Sequence, residues 1–106
     1  MIDKLQILKY LKHHLQQYYN KPVKDVILFG SRASGKEKEH SDFDVLIVLE
    51  KDYSRKDEEI ILDLCYDIDL KYNIIIDAHI ISRNELNSLR GKQPLYINAI
   101  NRGIYA

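Results

Sequence analysis

Val26-Ile27-Leu28-Phe29-Gly30-Ser31-Arg32-Ala33-Ser34-Gly35, then Ser41-Asp42-Phe43-Asp44-Val45-Leu46-Ile47-Val48-Leu49, is the stretch that decides the fold. Each half contains a short, unbroken apolar run of strand length. Unbroken runs, as opposed to alternating ones, indicate strands buried on both faces. The spacing predicts strands over 23–29 and 43–49. Residues 30–41 between them are polar and carry Gly30 and Gly35. They read as a loop with room for one helical turn.

The rest of the chain supplies layers for these strands. Leu5, Leu8, Leu11, Leu15 and Tyr18 recur at helical spacing and predict an amphipathic helix over 2–19, ended by Asn20-Lys21-Pro22. A second long helix is expected over 55–72. Ser54 and Asp57 form its capping box, and Ile60, Ile61, Leu64, Cys65, Ile68 and Tyr72 its apolar stripe. Residues 74–81 are rich in β-branched side chains and predict a third strand. Ser82 and Glu85 repeat the capping-box pattern before a short helix that Gly91 closes. Pro94 opens a last helix and Gly103 ends it, leaving a tail able to add an edge strand. The expected class is α+β: a small mixed sheet of three to four strands flanked by helices. No linker divides the chain, so 1–106 reads as a single domain.

Bulk properties narrow the function classes. The 106 residues carry 16 basic and 16 acidic side chains, with a pI near 6.9. That balance argues against a generic nucleic-acid binder, which carries a basic excess. It leaves room for a local nucleotide site. The single cysteine, Cys65, has no internal disulfide partner, and the first residues lack a signal-peptide core. No apolar run approaches the roughly 20 residues that span a bilayer. A cytoplasmic protein without membrane contact is expected.

Three features converge on chemistry. Gly30-Ser31 follows a strand directly, so backbone amides and the Ser31 hydroxyl can meet phosphate oxygens. Asp42 and Asp44 flank Phe43 at a strand start, and alternation puts both on one face. Neighbouring carboxylates raise each other's pKa, and a cation relieves that repulsion. Mg²⁺ favours such hard oxygen donors. Asp77 interrupts an apolar strand, where an unpaired charge is costly. Each has a plainer alternative: a turn, a solvated Ser-Asp-x-Asp start, a strand with one wet face. Asp67 and Asp69 compete with Asp77 as third carboxylate, but lie on a predicted helix. His79 shares a face with Asp77 and is placed either to orient it or to pack. His13, His14 and His40 read as solvated, and Lys36-Glu37-Lys38-Glu39 as a solvated loop. Tyr10, Tyr18, Tyr19, Tyr96 and Tyr105 suit either a partner interface or the edge of the core.

The combination Gly30-Ser31, ten intervening residues, then Asp42-Phe43-Asp44 resembles the signature of the DNA polymerase β-like nucleotidyltransferases, minimal members above all. The motif covers about a fifth of the chain, and the order of elements fits nearly all of it. The resemblance implies that Gly30, Ser31, Arg32, Ser34 and Lys36 hold a nucleoside triphosphate, ATP in the family. It implies that Asp42, Asp44 and Asp77 are catalytic and bind two Mg²⁺ ions. Many relatives carry Arg at the position of Ser34, and Arg32 and Lys36 are the candidates to replace that charge. Stand-alone members of this kind resemble the antitoxin half of nucleotidyltransferase–HEPN pairs. The expected reaction is then transfer of AMP onto a tyrosine of a helical HEPN toxin, with oligomerisation through that partner. Two other readings stay open: a weakly active antitoxin that neutralises by binding, and a transferase acting on a small molecule or RNA end with another subunit.

Overall fold

The computed structural model describes residues 3–35 and 42–106; Lys36, His40 and Ser41 lie outside them. Helix α1 spans Lys4–Tyr18, strand β1 Val23–Phe29, the single turn α2 Ser31–Ser34 and strand β2 Phe43–Leu49. Helix α3 spans Arg55–Tyr72, strand β3 Ile76–Ser82 and the short helix α4 Arg83–Leu86. A 3₁₀ turn at Arg90–Lys92 leads into helix α5, Pro94–Arg102, and strand β4, Ile104–Tyr105.

The four strands form one mixed sheet in the order β3-β2-β1-β4. Strands β1 and β2 are antiparallel, as a short polar loop between two strands requires. Strands β2 and β3 are parallel, with α3 as the crossover. The tail strand β4 pairs antiparallel with β1 at Ile27 and Leu28.

Alternation along the strands sorts side chains into two cores. Val26, Leu28, Phe43, Val45, Ile47 and Ile80 face α1 and α3, where Leu8, Leu11, Leu15, Ile61, Cys65 and Ile68 meet them. Ile27, Leu46, Val48 and Ile81 face the other way, against Tyr96 and Ala99 of α5. The unbroken apolar runs are thus explained by burial on both faces. The second face has the thinner cover, and the candidate site lies on it.

The local signals place most ends. Asp3 caps α1 by accepting from the Leu5 amide at 3.0 Å, so the helix starts later than the expected residue 2. Both capping boxes, Ser54–Asp57 and Ser82–Glu85, are present. Several expectations need correction. Tyr18 is 57% exposed despite its place in the stripe, and Tyr19 is buried instead. Tyr19 has left the helix with extended backbone, which swings its ring inward. Ile60 is also exposed, the α3 stripe being narrower than expected. Helix α4 ends at Leu86, and Gly91 is buried within the 3₁₀ turn. Strand β3 begins at Ile76, two residues late, because Asp69 accepts the Ile76 amide at 2.9 Å and binds the chain to the end of α3. No helix among the described residues is long and apolar enough to cross a membrane.

Candidate active site

The loop after β1 is held by backbone geometry. Gly30 has φ 75° and ψ −153°, a region that only glycine occupies without strain. A Cβ on Gly30 would also collide with Oδ2 of Asp44. Glycine is thus needed here for an internal reason: it lets the turn sit against the Asp44 carboxylate. The carbonyl of Gly30 then accepts the amides of Ala33 and Ser34, closing α2. The other side of the loop is tied to α1, where Lys4 Nζ donates to the Arg32 carbonyl at 2.6 Å.

Sheet register aligns the acidic residues. Phe29 of β1 pairs with Asp44 of β2, and Asp44 pairs with Asp77 of β3. These three residues form a row across the sheet, with side chains on the thinly covered face. His79 lies two residues along β3 on that face. Ligand atoms of Asp44, Asp77 and His79 all fall within 4.8 Å of one another. His79 Nε2 is 3.5 Å from Asp77 Oδ2, and its ring tilts against Phe29 at 5.6 Å. His79 thus stands between the Asp77 carboxylate and the Phe29 ring.

Burial raises the pKa of Asp44 above its ordinary value, and the adjacent Asp77 charge raises it further. His79 offsets part of this, while Asp42 adds to it. A half-buried carboxylate whose pKa is raised, beside the exposed carboxylate of Asp77, fits a divalent cation. Asp42 is exposed immediately before β2 and stands outside the close group. Its charge reaches Asp44 on one side and Asp69 on the other. Asp69, one rival for third carboxylate, is occupied by the Ile76 amide. The other, Asp67, accepts from His14 at 2.9 Å on the far side of the sheet.

A cavity of about 470 Å³ opens at Gly30, the residue that abuts Asp44. Phe29, Gly30, Ala33 and Ser34 form one wall, and Leu95, Asn98 and Arg102 of α5 the other. Ser34 therefore faces this cavity. The Arg32 guanidinium lies 4.4 Å from the centroid of the Phe43 ring, on the α1–α3 side of the sheet. Lys36, the other candidate cation of the loop, falls outside the described residues. Asn98 and Arg102, which the sequence reading did not single out, are candidates only by lining this cavity. Their spacing with Leu95 on one helix face was the available signal.

Comparisons with known proteins identify the family. The family described as "Nucleotidyltransferase domain" matches residues 6–106. Two Methanocaldococcus jannaschii proteins are similar, each named "Putative protein adenylyltransferase". One is 33% identical over 91% of this chain and 90% of its own length. The other is 33% identical over 74% of this chain and 80% of its own length. Among solved structures, a toxin–antitoxin crystallised with AMP-PNP superposes with a TM-score of 0.64 at 16% identity, covering 97% of this chain and 72% of that one. A mutant of the toxin–antitoxin MntA–HpeT gives 0.59 at 14% identity, covering 98% and 72%. At such identities the two structures establish a shared fold. With the loop, the paired carboxylates and the match along nearly its whole length, the chain belongs to the nucleotidyltransferase domain family.

Proposed function

We propose that the protein transfers AMP from ATP to a tyrosine hydroxyl of a helical HEPN-type toxin and thereby acts as its antitoxin. The observation that carries this reading is the register pairing of Asp44 with Asp77 beside Gly30. Asp44 touches Gly30, and Gly30 in turn lines a cavity of about 470 Å³, which supports a nucleotide bound beside the carboxylates. The names of the similar proteins favour a protein as acceptor and an adenylyl group as cargo. The toxin–antitoxin neighbours favour a toxin as partner.

Asp42, Asp44 and Asp77 would hold two Mg²⁺ ions. Such a pair, when bound, stabilises charge on the attacking and leaving oxygens of an in-line displacement. The chain's own groups do the rest. Gly30 and Ser31 orient the triphosphate. Asp77, steadied by His79, accepts the proton of the incoming hydroxyl. The acceptor oxygen bonds to the α-phosphorus as the α–β phosphoanhydride bond breaks, and pyrophosphate leaves with the bridging oxygen. The Asp77 side chain is 54% exposed, so a macromolecular hydroxyl can approach it.

The test is label transfer from α-labelled ATP to the helical partner in Mg²⁺. Wild type should label a partner tyrosine. Asp44→Asn and Asp77→Asn should each reduce the rate by about a hundredfold or more, the scale of losing a positioned acid–base or charge-stabilising group. Equal labelling by wild type and both variants would overturn the reading.

A further inference from the structure

We infer that Arg102 and Asn98 of α5 grip the leaving-group end of the nucleotide, and that Arg102 supplies the positive charge that Ser34 lacks. This rests on the nucleotidyltransferase reading of the Asp44–Asp77 site. Ser34 and Arg102 line opposite walls of one cavity, so a cation on either wall reaches the same space. Leu95, Asn98 and Arg102 stand three and four residues apart, which aims all three from one face of α5. The cavity runs from Gly30, next to the Asp44 carboxylate, towards α5. On this inference the α-phosphate sits at the carboxylates and the β- and γ-phosphates on this side, where the Gly30 loop lines the same cavity. A guanidinium fits them well, because its fork matches two phosphate oxygens at once.

The fold fixes the end of α5 independently of any ligand. Gly103 follows Arg102, and a Cβ there would collide with Ile27 Cγ2 and the Ala99 carbonyl. The missing side chain lets the helix end press on β1. Strand β4 then pairs with Ile27 and Leu28, and the Ala106 amide donates to the Val26 carbonyl at 3.0 Å. Arg102 is thereby held beside the end of β1, from which the Gly30 loop departs. Among the described residues no ion pair engages its guanidinium.

Titration calorimetry with AMP-PNP and with AMP, both in Mg²⁺, tests the inference without turnover. Arg102→Ala should weaken AMP-PNP binding by about ten- to a hundredfold and AMP binding by much less, the scale of losing a charge-assisted contact to the outer phosphates. Asn98→Ala should give a smaller loss of the same kind. The double variant Arg102→Ala with Ser34→Arg should recover AMP-PNP affinity, since it returns a cation to the same cavity. A folding defect would lower both affinities together and show in the circular dichroism, and the Ser34→Arg recovery would then be absent. Unchanged AMP-PNP binding in Arg102→Ala, or equal losses for AMP-PNP and AMP, would overturn the inference. If Arg102 controls AMP-PNP affinity but no label reaches a partner, the transfer reading alone fails. If wild type labels its partner and Arg102→Ala binds AMP-PNP normally, the inference alone fails.

Discussion

Gly30 and Asp44 show how much of this site depends on single atoms. Adding one methyl group at Gly30 strains a backbone with φ 75° and strikes the Asp44 carboxylate. Gly35 provides the control, since it also has positive φ but nothing within 4 Å of an added Cβ. Gly35→Ala should cost about 1 kcal/mol in thermal or denaturant unfolding, the ordinary penalty for a left-handed alanine. Gly30→Ala should cost more, about 1–3 kcal/mol, and should also lower transfer because Asp44 must move. Equal costs and undiminished transfer would mean that the Gly30–Asp44 contact is unimportant. At this scale the sequence was only partly informative. The Gly-Ser and Asp-x-Asp spacing pointed to the loop and to Asp44, and it gave Gly30 a role toward a ligand without showing its clearance of Asp44. The need to clear Asp44 depends on sheet register, which the local sequence does not contain. The contact of Arg32 with Phe43 was not legible for a related reason: a loop side chain has no periodicity, so nothing local says which ring it meets.

The elements were more legible, because their ends carry local chemistry. Ser54 and Asp57 cap α3, with Ser54 N donating to Asp57 Oδ2 at 2.8 Å and the Asp57 amide donating to Ser54 Oγ at 3.2 Å. Ser54→Ala should cost about 1 kcal/mol, measured by denaturant unfolding. The Ser54 amide holds the Asp57 carboxyl below its ordinary 3.8, and Lys21 Nζ at 3.0 Å assists. A carboxyl depressed on folding stabilises the protein above its unfolded pKa, and that contribution is lost as pH falls through the folded value. The stability gap between wild type and Asp57→Asn should therefore close as pH falls from about 5 to about 2. A gap that stays constant would assign the effect of Asp57 to packing. Glu85 behaves alike. Burial pushes its carboxyl up, but hydrogen bonds from Tyr53, Arg90 and the Ser82 amide bring the net value below 4.5. The element that sequence placed least well was β3, whose start is set by Asp69 from another element.

At the scale of the whole molecule, the two faces of the sheet divide the work. The α1–α3 face is the thick core, and Leu15 at its centre is fully buried. Leu15→Ala should cost about 2–5 kcal/mol in denaturant unfolding, with AMP-PNP affinity retained under native conditions. Loss of affinity in a protein still folded would break this division. The other face carries Asp44, Asp77, His79 and the α5 wall, and its thin cover leaves the carboxylates open to an incoming hydroxyl. Apolar runs in β1 and β2 showed that both faces are covered. They could not show that the end of α5 returns to β1, since that contact joins residues far apart in the chain. The central claim is that this open face adenylylates a partner protein. The most direct measurement is the intact mass of the helical partner after co-expression with wild type and with Asp44→Asn. The account predicts a partner heavier by one AMP group on a tyrosine with wild type, and an unmodified, still toxic partner with Asp44→Asn. An unmodified partner that both forms neutralise equally would contradict it.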